Sequence, residues 1–231
     1  MLQAIGLTKK YGEHIALNSL DLTVERGEIF CLLGQNGAGK TTTINLFLGF
    51  TEPTSGTARV NGIEISVNAP AAKKHIAYIP EVVMLYGNLT GKENLEYFSR
   101  LAGFRYDDET LIQLLSKAGL QKEAHHRNLS NYSKGMRQKV GIAIALAKNA
   151  DAILMDEPTS GLDPKATAEF TNIAKELAAD GKSILMATHD IFNAVNVGSR
   201  IGIMKQGSLV HSIHTKDITA NELQDLYLET I

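Results

Sequence analysis

Apolar and polar residues alternate over Asn18–Val24, with Leu20, Leu22 and Val24 on one side and Ser19, Asp21 and Thr23 on the other. A period of two predicts a half-buried strand. Elsewhere the apolar runs are short and unbroken: Glu28–Leu33, His75–Ile79, Asp151–Asp156 and Ser183–Ala187. Such runs predict strands covered on both faces, as in a parallel sheet. Leu2–Leu7 predicts a further strand, and Asn61-Gly62 marks a hairpin between Thr57–Val60 and Ile63–Ile65. Ile201–Met204 and Ser208–His211 predict another around Gln206-Gly207.

Other stretches carry the helical period. Ile44, Phe47 and Leu48 share one face after Thr42; Leu111, Leu114, Leu115 and Ala118 share one over Asp107–Ala118. Met136, Val140, Ala143, Ile144 and Ala147 form a stripe over Ser133–Ala147. Thr90 and Glu93 make a capping box ahead of Asn94–Ala102. Asp163-Pro164 opens a helix running to about Ala179, where Gly181 stops it. Shorter helices are predicted over Ile191–Val197 and Asn221–Leu228. The order is a β-rich opening, a helical block over about 84–150, and alternating α and β to the end. The chain is therefore read as one domain over 1–231, an α/β core with an antiparallel β subdomain and an inserted α-helical subdomain.

The turn between the strand at Glu28–Leu33 and the next helix carries the candidate chemistry. Gly34-Gln35-Asn36-Gly37-Ala38-Gly39-Lys40-Thr41-Thr42 fits G-x-x-x-x-G-K-[ST], the P-loop. Glycines let the backbone wrap a phosphate, and free N–H groups at a helix start face the anion. Lys40 adds a cation for the β- and γ-phosphates, and the Thr41 hydroxyl is a Mg²⁺ ligand. The core is therefore expected to be of the P-loop NTPase (RecA-like) type. Asp156-Glu157 ends the strand at Asp151–Asp156, on the sheet edge where ligands bind in such folds. Asp156 is a metal-side carboxylate, and Glu157 is a general-base candidate.

Bulk properties narrow the picture little. The chain has 231 residues, 44% hydrophobic and 21% charged, with a net charge of −2, so nothing calls for nucleic acid. The one cysteine, Cys31, lies in an apolar strand and reads as a small buried hydrophobe. No secretory signal is read at the N-terminus, and no stretch approaches ~18 unbroken apolar residues. If the protein works at a membrane, another chain must span it.

The sequence resembles the ATP-binding subunits of ABC transporters, and the motifs stand in that family's order. Tyr11-Gly12 resembles the loop that stacks an aromatic ring on adenine. Gly34–Thr42 is the Walker A, Ile79-Pro80-Glu81 stands at the Q-loop, and Asp156-Glu157-Pro158-Thr159 is the Walker B. Tyr132-Ser133-Lys134-Gly135-Met136 stands where the family has Leu-Ser-Gly-Gly-Gln, Ser160–Asp163 matches the D-loop, and His189 matches the switch histidine. The resemblance implies ATP and Mg²⁺ as ligands, with Glu157, His189 and Lys40 catalytic, and Thr41, Asp156 and Glu81 toward the metal. It also implies that Ser133, Lys134, Gly135 and Met136 meet the γ-phosphate held by a second copy, or a related subunit, in a head-to-tail dimer. The partners implied are membrane permease subunits, so the site of action expected is the inner face of the membrane. The expected docking surface is the groove between the sheet core and the helical insertion, near Glu81 to Leu89, where Val82–Tyr86 form an apolar run.

Two motifs depart from the family pattern, the Q-loop and the signature. Glu81 replaces a glutamine, keeping an oxygen but losing a donor and adding charge. Lys134 and Met136 replace a glycine and a glutamine, while Gly135 is kept. Both departures resemble the subgroup with separately encoded permeases, often exporters. Rival readings are an ABC ATPase outside transport, a nucleotide-dependent regulator that does not turn over, and a P-loop kinase. Intact Glu157 and His189 stand against the regulator, and the signature and D-loop segments against the kinase.

Overall fold

The computed structural model describes residues 1–231. Two sheets carry the chain. The first is antiparallel in the order β2-β1-β4-β5, from β1 (Leu2–Tyr11), β2 (His14–Val24), β4 (Ser55–Val60) and β5 (Ile63–Glu64). The second is six-stranded in the order β10-β9-β3-β8-β7-β6. Its members are β3 (Ile29–Leu33), β6 (Ile76–Ile79), β7 (Ala152–Asp156), β8 (Ser183–Thr188), β9 (Arg200–Lys205) and β10 (Ser208–His214). All pairings in it are parallel except β9 with β10. The fold class read from the sequence is the one found.

Alternation explains the layering. Ile29, Cys31 and Leu33 of β3 enter one core, while Phe30 and Leu32 enter the other. The first core takes side chains from α3 (Gly91–Leu101), α4 (Asp108–Lys117), α5 (Lys134–Ala147), α6 (Pro164–Ala179), α7 (Ile191–Val197) and α8 (Ala220–Thr230). The second joins the two sheets around α1 (Lys40–Phe47), through Ile44, Leu46 and Phe47. Each fully buried Leu, Ile or Phe contributes roughly 1.5–3 kcal/mol relative to exposure.

Local signals placed the helix ends. The Thr90–Glu93 capping box forms with both hydrogen bonds, but it starts α3 at Gly91 rather than Asn94, because the box residues are themselves its first turn. Gly119 and Gly181 hold φ of +76° and +84°, the left-handed backbone that ends a helix cheaply only with glycine. One α-helix was missed. The six-residue α2 (Ala69–Lys74) is too short to show a stripe, though Asn68 caps it and Pro70 lies in its first turn.

At the N-terminal ends of β6 and β7, Asp151 gathers three chain segments. Its carboxylate accepts from Asn61 Nδ2 at 3.0 Å, sits 2.6 Å from His75 Nδ1 and faces Arg26 at 3.7 Å. The hydrogen bond with His75 holds the carboxyl below its usual range, against a smaller opposing effect of burial. A carboxyl lowered by folding stabilises the fold at pH above its unfolded value, and that stability is lost as pH falls through the folded value. Asp151→Asn should therefore lower the melting temperature at pH 7. The gap from the parent chain should begin to narrow as pH drops below about 4, the free carboxylate value, and close only below the lowered folded value. Melting curves across pH check this; a gap undiminished at pH 3 would show that the charge is not what matters.

Candidate functional site

Strand register brings the chemistry to one edge. Leu33 pairs with Thr188, and Asp156 pairs with Ala187. The P-loop, Asp156-Glu157 and His189 thus leave the carboxyl ends of three neighbouring strands, the crevice position for ligands in open parallel sheets.

The P-loop shape depends on glycine at two points. Gly37 and Gly39 hold φ of +83° and +107°, and a Cβ on Gly39 would lie 2.8 Å from the Ala16 carbonyl oxygen. Lys40 starts α1 and folds back beneath the loop. Its ammonium donates to the carbonyls of Gly34 at 2.6 Å and Gln35 at 3.3 Å, and stands 3.8 Å from Glu157 Oε1. The lysine is only 5% exposed, so a charge costly to bury is fixed at the loop's centre. Gly34 and Ala38 are buried behind the loop; Gln35, Asn36, Gly37, Gly39, Lys40, Thr41 and Thr42 line a cleft of about 500 Å³.

The opposite wall is acidic. Asp156, Glu157 and Glu81 line it, and the Thr41 hydroxyl donates to Asp156 Oδ2 at 3.1 Å. Burial raises the Asp156 carboxyl from its usual range, the Thr41 hydrogen bond opposes this, and the Glu157 charge adds to it. Such a carboxylate gains from a cation beside it. A hydroxyl and carboxylate oxygens are the hard donor set that Mg²⁺ selects, and the glycine cradle with Lys40 suits phosphates. The residues therefore fit a nucleotide carrying Mg²⁺, which Thr41 and Asp156 would hold.

Glu157 has φ of +45°, rare for a residue with a side chain. Its N–H donates to the Ala187 carbonyl at 2.9 Å, which locks the turn. The carboxylate reaches the cleft, and its Oε2 lies 2.8 Å from His189 Nδ1 and accepts from the His189 N–H at 3.3 Å. An acid and an imidazole in contact beside a phosphate cradle can accept and hold a proton.

Tyr11 stands at the end of β1, half exposed, and lines the cleft mouth; Lys9 Nζ lies 4.9 Å from its ring centre. Ser133 caps α5 by accepting from the Met136 N–H at 3.3 Å. Ser133, Gly135 and Met136 are not in the P-loop cleft. They line a separate surface hollow with Asp163 and Ala166. Lys134 turns the other way, to 3.8 Å from Glu81 Oε1, and Ser160 Oγ donates to that oxygen at 2.9 Å. Glu81 thus lines the cleft but is held by its neighbours rather than by Thr41 or Asp156.

Sequence reading missed His14 and Ala16, which line the cleft from β2. It also missed Gln138, 2% exposed on α5. Its amide donates to the carbonyls of Pro80, Glu81 and Pro158 at 3.3, 3.1 and 3.1 Å. Gln138 lies off the Met136-Val140-Ala143 stripe, on the face of Lys134, so the helical pattern carried no signal for it.

A family profile described as ABC transporter matches residues 17–160. The chain belongs to the ABC transporter family. This ABC cassette is 34% identical over 94% of its length to the bacitracin transport ATP-binding protein BcrA of Enterococcus faecalis, spanning 70% of it. It is 37% identical over 90% of its length to the Nod factor export ATP-binding protein I of Cupriavidus metallidurans, spanning 69%. A probable multidrug ABC transporter ATP-binding protein of Escherichia coli is 34% identical, and there the chain spans only 39% of the relative. Among solved structures it superposes with a TM-score of 0.82 on the dimeric ATP-binding cassette MJ0796 bound to ADP and Pi, at 28% identity and covering 93% and 99% of the two chains.

Proposed function

We propose that this ABC cassette binds ATP with Mg²⁺, hydrolyses it, and so drives transport of a substrate through a partner membrane permease. Two copies close head to tail on two nucleotides. The observation that carries this reading is the separation of its parts. The cradle, Lys40, Asp156 and Glu157 share one cleft, whereas Ser133, Gly135 and Met136 open on a different hollow. Each cleft is then completed by the other copy's α5 N-terminus, whose cap and free N–H groups suit a phosphate.

In this reading the Gly34–Thr42 backbone and Lys40 grip the phosphates, and Tyr11 stacks on the base. Thr41 and Asp156 would hold Mg²⁺, with Glu81 able to turn to it from the cleft edge, and the metal would offset phosphate charge. Glu157 accepts the proton of the attacking water, and His189 steadies Glu157 and the γ-phosphate. The relatives' printed names, which speak of transport and export, support the permease partner. No helix is long and apolar enough to cross a membrane; in this reading the permease spans it and holds the cassette at the inner face. The run after Glu81 suits docking only in part. Val82, Met84 and Tyr86 are exposed, while Val83 and Leu85 pack on the core.

Light scattering on Glu157→Gln, with and without ATP, tests the dimer. ATP should convert monomer to dimer, and Ser133→Arg should reverse it by filling the hollow with a bulky cation. A protein that binds ATP and stays monomeric would overturn self-sufficient closure.

A further inference from the structure

The two departures from the family pattern meet in space. Glu81 and Lys134 are far apart in sequence, yet their charged groups face each other at 3.8 Å. The pairing has a local cause. Lys134 is the first residue of α5, where the positive end of the helix dipole disfavours a cation. No acidic residue stands in that first turn to offset it. Glu81, from the loop after β6, supplies the missing negative charge.

The surroundings direct the side chains to this meeting. Gly161 lies beside Lys134, where a Cβ would stand in ordinary contact with Lys134 Nζ at 3.5 Å. Ser160 donates to the same Glu81 oxygen that Lys134 faces. One turn along α5, Gln138 donates to the Glu81 carbonyl. Residues i and i+4 of one helix face thus hold both the side chain and the main chain of residue 81.

From the cleft's side the pairing offsets charge. Glu81, Asp156 and Glu157 line a pocket with one lysine, Lys40, and a polyphosphate must enter there. We propose that Lys134 is a positioning residue for Glu81: it holds the carboxylate at the cleft edge and offsets its charge, so the two substitutions act as one exchange for the family's neutral pair. The proposal rests on the nucleotide reading for its consequence, but the pairing itself does not. Were Mg²⁺ to draw on Glu81, the carboxylate would give up its contact with Lys134, so the pair would set the Mg²⁺ level at which the site loads.

A four-protein cycle tests this: the parent chain, Glu81→Gln, Lys134→Gln and the double variant. The first readout is the melting temperature in EDTA at low salt, without nucleotide. In the Glu81→Gln background, Lys134→Gln should raise the melting temperature by about 1–2 °C, because it removes an uncompensated cation from a helix start. With Glu81 present it should give no rise, because an ion pair is lost as well. Equal shifts in both backgrounds would overturn the pairing. The second readout is the Mg²⁺ concentration that half-saturates binding of a fluorescent ATP analogue. With Glu81 present, Lys134→Gln should lower it at least threefold, and Lys134→Arg should leave it at the parent value. In the Glu81→Gln background the change should vanish. A shift of the same size in both backgrounds, or none in either, would overturn the positioning role. Failure of the parent chain to bind the nucleotide would instead sink the functional reading and leave the melting result standing.

Discussion

Glu157→Gln is expected to slow ATP hydrolysis by roughly 10²–10⁴-fold, the span that a positioned general base contributes. At the middle of that range the barrier rises by about 4 kcal/mol. The expectation rests on placement. Glu157 is fixed by a backbone turn at φ +45° and by its N–H bond to Ala187, and its oxygens face Lys40 and His189. Glutamine keeps the shape and the contact with the His189 N–H, but it cannot take a proton from water. ATP affinity should stay within a few-fold of the parent chain, because the cradle is untouched. Phosphate release under single turnover, beside an ATP titration, separates the two effects. A variant that keeps a tenth of the parent rate would remove Glu157 from the role of base.

Gln138→Leu should cost roughly 2–4 kcal/mol of stability, because it strips donors from the carbonyls of Pro80, Glu81 and Pro158 inside a packed region. For a chain of this size the melting temperature should fall by roughly 5–12 °C. Gln138→Glu should fall further, since a carboxylate would face those carbonyl oxygens with nothing to donate. A melting curve of each variant decides it. A glutamate variant as stable as the parent would mean that the amide is not the tie between α5 and the two loops.

The core was legible wherever one side-chain period dominated. β3, β7 and β8 read as unbroken apolar runs because both faces are covered, and α6 read from its cap and its glycine stop. The P-loop was legible because its shape demands glycines at fixed offsets from a lysine. Three things were not. Helix α2 is shorter than the window that reveals a period. Val82–Tyr86 read as one apolar run, but the structure splits it by alternation, with Val83 against Gly141 and Met84 81% exposed. The meeting of Glu81 with Lys134, and of Gln138 with three carbonyls, depends on how α5 crosses β6. No local pattern states such a crossing, because it is set by the packing of segments remote in the chain.

The strand that presents the P-loop has its own consequence for how this chain is made. β3 pairs with β8 and β9, both contributed by the last quarter of the sequence. The antiparallel sheet needs nothing beyond Glu64. As the chain leaves the ribosome, that sheet has its partners early, while β3 waits with apolar residues on both faces until β8 and β9 emerge. Pairing over so long a separation is slow, and such waiting surfaces aggregate. The nucleotide cradle, early in the chain, is thus expected among the last parts of the molecule to be seated. Chaperone demand during synthesis should grow with that interval, whereas a full-length chain refolding from denaturant meets no such wait.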